Sequence, residues 1–160
     1  MSKNAVLGIG NILLSDEGVG VRVIEALAGD GDWPAAVELI DGGTCGMELL
    51  DQLEDLDLLV VVDCVRGARP AGTPVVLRGD AVPVFFRTKL SPHQVGLSDV
   101  LASLELTGKA PHETVIIGIE PESLSLGMEL TPTIAARLPE LIALTRAELE
   151  RRGLLAGAGA

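Results

Sequence analysis

Three residues of this 160-residue chain pair ligand chemistry with a shared place in the pattern around them: Glu17, Asp63 and His93. Glu17 follows the first apolar run by way of a glycine turn, within Val6-Leu-Gly-Ile-Gly-Asn-Ile-Leu-Leu-Ser-Asp-Glu-Gly-Val-Gly20. Asp63 closes Leu58-Leu-Val-Val-Val62, the most strongly apolar run of the chain. His93 lies in Ser91-Pro92-His93-Gln94, which reads as an N-cap serine, a proline at the first helical position and the glutamine of a capping box. At a helix N-terminus the dipole disfavours the imidazolium, so the ring stays neutral and able to ligate. A Glu, Asp and His set with no basic neighbour suits a divalent transition metal such as Zn or Ni, with coordination positions left open. Each residue alone has a plainer reading: an acid at a helix start, a strand-end charge with a partner, a structural histidine. Their convergence is what carries the chemistry.

Convergence requires a particular scaffold. Val6 to Ile9 is too short for a helix and predicts a buried strand, with Gly8 and Gly10 allowing a tight turn and Ser15 as the cap of the next helix. Val19, Val23, Ile24 and Leu27 recur at helical spacing until Gly29-Asp30-Gly31. A second strand at 37–40 runs into Asp41-Gly42-Gly43-Thr44, and a short helix at 47–53 turns Leu49, Leu50 and Leu53 inward. The ten-residue connection 64–73 has no helical pattern, so the strand at 73–78 is expected to be antiparallel. The segment 79–90, with Phe85 and Phe86 adjacent, is irregular and reads as a loop pinned by its aromatics. A helix from Ser91 to Gly108, a strand at 114–119 and a last helix opened by Thr131-Pro132 complete the chain, with Pro139 expected to kink that helix and Arg146, Arg151 and Arg152 to complement its dipole. The fold class is therefore α/β, three-layered, with a twisted, mostly parallel five-stranded sheet and helices on both faces. Residues 1–152 form one domain and 153–160 a frayed Gly/Ala tail. In such a sheet, ligands bind at the carboxyl ends of the strands, where Glu17, Asp63 and His93 all fall. His112 precedes its strand, at the opposite edge.

Composition removes other classes. The net charge of −11 opposes nucleic-acid phosphates and anionic lipid, and with 2% aromatic residues there is no stacking platform for bases. No apolar run approaches the roughly 18 residues of a membrane span, and no secretory pattern opens the chain, so a cytoplasmic protein with reduced Cys45 and Cys64 is expected. Gly8-x-Gly10 begins a dinucleotide fingerprint that fails at Leu13, and Asp16 and Glu17 stand where a pyrophosphate needs unopposed N–H groups. There is no H-E-x-x-H and no G-x-S-x-G, and no spacing supports a Cys64–His93 pair.

The Gly8-x-Gly10-Asn11 turn with Asp16-Glu17-Gly18, the Asp41-Gly42-Gly43-Thr44 loop, the strand-ending Asp63 and Ser91-Pro92-His93-Gln94 together closely resemble the [NiFe]-hydrogenase maturation endopeptidases. The match runs from about Ala5 into the last helix. Cys64 departs from the small residue usual there, and Pro70-Ala71-Gly72-Thr73 from a tighter Pro-Gly-Thr. The resemblance implies an endopeptidase that removes a short C-terminal extension from the hydrogenase large-subunit precursor after nickel insertion. It implies Glu17, Asp63 and His93 as the metal-binding positions, reading nickel borne by the substrate, with Zn or Cd as substitutes. A general base is then sought at Asp16 or Asp41. The rival reading is a non-catalytic nickel- and precursor-binding chaperone with the same cleft.

Overall fold

The computed structural model describes residues 2–83 and 92–156, and the side chains of 2–83 and 97–156. Its strands are β1 (Asn4–Ile9), β2 (Val37–Gly43), β3 (Leu58–Cys64), β4 (Pro74–Leu77) and β5 (Glu113–Ile119). They form one sheet in the order β2-β1-β3-β5-β4, with β4 antiparallel to β5 and every other pair parallel. The helices are α1 (Val19–Ala28), α2 (Leu50–Leu53), α3 (Pro92–Leu106), α4 (Pro132–Ala135) and α5 (Leu138–Arg151), with short 3-10 turns at Ser15–Gly18 and Met47–Leu49.

Strand side chains alternate between faces, and here they divide into two aliphatic cores. Leu7, Ile9, Leu59, Val61 and Ile116 pack with Leu49 and Leu53 and with Leu97, Val100 and Leu104 of α3. Val6, Val60, Val62, Val115 and Ile117 pack with Val19, Val23 and Leu27 of α1, Ile134 of α4, and Leu141 and Leu149 of α5. Every residue of β3 is buried, as a strand covered on both faces requires. By the same alternation Asp63 falls in line with Leu59 and Val61, on the α3 face.

Local expectations fail where tertiary partners compete for a side chain. Ser15 caps no helix: it sits at φ +53°, and its hydroxyl donates to the Ser125 carbonyl at 2.7 Å, while α1 starts at Val19. Pro139 kinks nothing, because the final helical region is two helices and Pro139 occupies the first turn of the second, where its missing N–H costs no hydrogen bond. Arg146 donates to Asp30 at 3.1 Å and lies over the Trp33 ring, while Arg151 and Arg152 pair with Glu148 one turn back. These arginines are held by tertiary and side-chain partners as well as by any helix dipole. Phe85, Phe86, Ser91, the side chains of His93 and Gln94, and the tail from 157 lie outside the described residues. No helix among the described residues is long and apolar enough to cross a membrane.

Candidate functional site

The site is built on two close backbone approaches. Gly10 has φ +133°, and a Cβ there would stand 1.9 Å from the Glu17 carbonyl oxygen. Only glycine lets the chain leave β1 and fold the acidic turn back over it. Gly20, three residues after Glu17, has the Val62 carbonyl oxygen 2.1 Å from where its Cβ would lie. The first turn of α1 is thus pressed onto β3 one residue before Asp63. These two contacts bring the segments of Glu17 and Asp63 together at the carboxyl edge of the sheet, and both carboxylates are buried, at 5% and 0% exposure. One Asp63 oxygen accepts the Cys64 N–H at 2.8 Å.

The third candidate, His93, is the second residue of α3. The far end of that helix lies at the amino edge of the sheet, where Asp55 N–H reaches the Lys109 carbonyl at 2.9 Å just beyond it. Fifteen residues of helix span about 22 Å, and α3 also touches the 3-10 turn that follows β2. His93 is therefore carried at the end of α3 that points to the carboxyl edge, on the face of the sheet that Asp63 shares. His112 is exposed at the amino edge, its N–H bound to the Leu56 carbonyl.

Asp16 and Asp41 occupy contrasting surroundings. Asp16 is fully buried, and both its oxygens are committed. The backbone N–H groups of Glu122 and Ser123 donate to Oδ2 at 3.0 Å each, the Thr131 N–H donates to Oδ1 at 2.8 Å, and the Thr131 hydroxyl reaches both oxygens at 3.1 and 2.9 Å. The carboxylate is a knot tying the acidic turn to the 121–131 connection, with no lone pair directed to a substrate. Asp41 is exposed near the end of β2, and it rims an open cleft of about 290 Å³ with Gly10, Asn11, Ile12, Leu13, Val21, Gly43 and Thr44. β2 and β3 flank β1, so Asp41 and Asp63 are separated by two strand spacings, about 10 Å.

Two residues that sequence reasoning passed over complete the edge. Glu120, 7% exposed, directly follows β5, next to the strand end that Cys64 pairs with. One of its oxygens accepts the Gly67 and Arg69 N–H groups at 2.8 and 3.1 Å, which orders the loop after Cys64. An acid directly after a buried apolar strand was the available signal. Thr131, expected only to cap a helix, instead uses its hydroxyl on Asp16, a long-range contact that left no local trace.

Comparison with known proteins gives this geometry relatives. Residues 21–148 match the family described as hydrogenase maturation protease. The chain is 44% identical over 150 residues to the hydrogenase 2 maturation protease of Escherichia coli K12, covering 93% of this chain and 92% of that one. It is 42% identical over 157 residues to the hydrogenase expression/formation protein HupD of Rhodobacter capsulatus, covering 97% and 75%. Among solved structures, the E. coli hydrogenase maturating endopeptidase HYBD superposes with a TM-score of 0.90 at 43% identity, over 94% of each chain.

Proposed function

Given that this chain belongs to the hydrogenase maturation protease family, we propose that it cleaves one peptide bond near the C-terminus of a [NiFe]-hydrogenase large-subunit precursor and recognises the nickel ion that precursor already carries. The observation that carries this reading is the pairing of Glu17 and Asp63, two buried carboxylates drawn to one sheet edge by the Gly10 and Gly20 approaches. Two acidic side chains brought to one edge attract a divalent cation, the more strongly because their surroundings are of low dielectric, and a substrate-borne nickel ion is such a cation. With His93 as the proposed third ligand, the donor set is two oxygens and one nitrogen, which nickel accepts and Zn or Cd also fits.

In this reading nickel is part of the substrate and serves as the specificity handle. A precursor without nickel offers no bond to Glu17, Asp63 and His93, so its scissile segment is not held beside the cleft. Positioning of that kind is worth several orders of magnitude in rate. In this reading Asp41, whose carboxylate is exposed at the cleft rim while Asp16 is committed, accepts a proton from an attacking water. Asp16, with both oxygens occupied, is a positioning residue. The direct test compares wild type with Glu17→Gln, Asp63→Asn and His93→Ala on nickel-loaded precursor. Each variant is expected to lose processing by at least about 10³-fold with an unchanged melting temperature. Retained processing by His93→Ala would overturn the site assignment.

A further inference from the structure

The acidic turn and the 121–131 connection do more than bury Asp16; they pair along their edges. Ser15 N–H donates to the Gly127 carbonyl at 2.8 Å, Gly127 N–H donates to the Leu13 carbonyl at 2.9 Å, and Leu14 and Gly127 form a parallel bridge. Arg22 of α1 holds the next residue from behind, its Nη2 donating to the Met128 carbonyl at 2.8 Å. The result is a lip whose backbone is pinned at several points and whose apolar side chains face water. Leu13 is 49% exposed, Leu126 85% and Met128 60%. Exposed apolar residues scattered singly need no explanation, but three on two hydrogen-bonded segments at the mouth of a site mark a contact surface.

We infer that this lip, Leu13, Leu126 and Met128, is a docking surface for the folded body of the hydrogenase large-subunit precursor. The inference rests on the proposed function. If nickel is bound within the precursor and is also reached by Glu17 and Asp63, then the precursor surface around that ion must lie against whatever rims these residues. The lip adjoins these elements: Leu13 lines the cleft that Asp41 rims, and its segment runs directly into Asp16 and Glu17. An apolar contact also suits a chain of net charge −11, because it gives affinity without requiring a basic partner. Met128 adds a side chain that adapts to an irregular partner face. The pinned backbone presents these side chains with little ordering cost on association.

The test is steady-state processing of nickel-loaded precursor by wild type, by the double variant Leu126→Ser/Met128→Ser, and by Leu106→Ser. Leu106 is a control: it is 90% exposed at the far end of α3, at the amino edge of the sheet. The double variant is expected to raise KM for the precursor at least ten-fold with kcat and melting temperature unchanged, and Leu106→Ser to change neither constant. An unchanged KM in a double variant whose wild type processes normally would overturn the lip and leave the protease reading standing. A wild type that leaves the precursor's mass unaltered would remove the premise and the lip with it. A wild-type dimer that the double variant converts to monomer, with KM unchanged, would assign the lip to self-association and overturn the proposal.

Discussion

Two buried carboxylates in this molecule are stabilised in opposite ways. Asp16, at the carboxyl edge, is held by three backbone N–H groups and one hydroxyl. Glu148, on the outer layer, is held by guanidinium groups: Arg78 of the segment after β4 donates to both its oxygens, and Arg151 and Arg152 close on it along α5. Arg152 also grips Glu113 at the start of β5, at 2.7 and 2.6 Å. The Arg78 hydrogen bond is the main reason the Glu148 carboxyl is lowered to about 2. Amide dipoles bring no mobile charge and fix a carboxylate in one orientation, which suits a residue adjoining Glu17. Ion pairs tolerate movement at a surface and pin an edge strand to a helix. The first arrangement serves geometry and the second serves cohesion.

Breaking the amide-held carboxylate is expected to have the larger effect. Asp16→Ala leaves the Glu122, Ser123 and Thr131 donors without their acceptor, and should cost about 3–5 kcal/mol together with processing. Denaturant melts combined with a processing assay measure both. Asp16→Asn keeps one carbonyl acceptor, so it should fold with a smaller loss while kcat remains depressed. Wild-type kcat in a folded Asp16→Asn would remove the positioning role. Gly10→Ala comes next: a methyl 1.9 Å from the Glu17 carbonyl, at a φ that L-residues avoid, should cost about 2–3 kcal/mol and displace Glu17. The diagnostic result is a kcat loss that persists at temperatures where the variant is fully folded.

How much of this was legible in the sequence follows the same division. The two-faced sheet could be read because β1 and β3 are built on short aliphatic runs, Ala5–Leu7 and Leu58–Val62, and the antiparallel β4 because ten residues without helical pattern cannot make a crossover. β2 and β3 run on into Gly43 and Cys64, past the expected ends, because pairing with β1 and β5 continues where the apolar pattern stops. Asp16 and Glu17 were visible as a pair of acids, but their division of labour was not. It depends on Glu122, Ser123 and Thr131, more than a hundred residues away, and on a Thr131 hydroxyl that local rules assign to a helix cap. Pro139 misled for a related reason, since helical spacing across 132–149 does not reveal that the chain stops and restarts at Leu138.

Breaking the ion-paired carboxylate should have the smallest effect and leave function intact. Glu148 has a folded pKa of about 2 against an ordinary value of 4.5. Its stabilisation is therefore fully present above about pH 4.5 and lost as the pH falls toward 2. With Arg78 and Arg151 partly exposed to solvent, Glu148→Gln should cost about 1–2 kcal/mol at pH 7 and flatten the acid limb of a stability-against-pH curve. Processing should be unchanged below the melting temperature. A processing defect in folded Glu148→Gln would mean that the outer cluster reaches the site.

The central claim, that nickel in the precursor is what this site reads, is tested most directly by the intact mass of an unprocessed large subunit incubated with the protein, with and without prior nickel loading. Loss of a C-terminal peptide from the loaded form alone is the predicted result. Loss at equal rates from both forms would contradict the nickel handle.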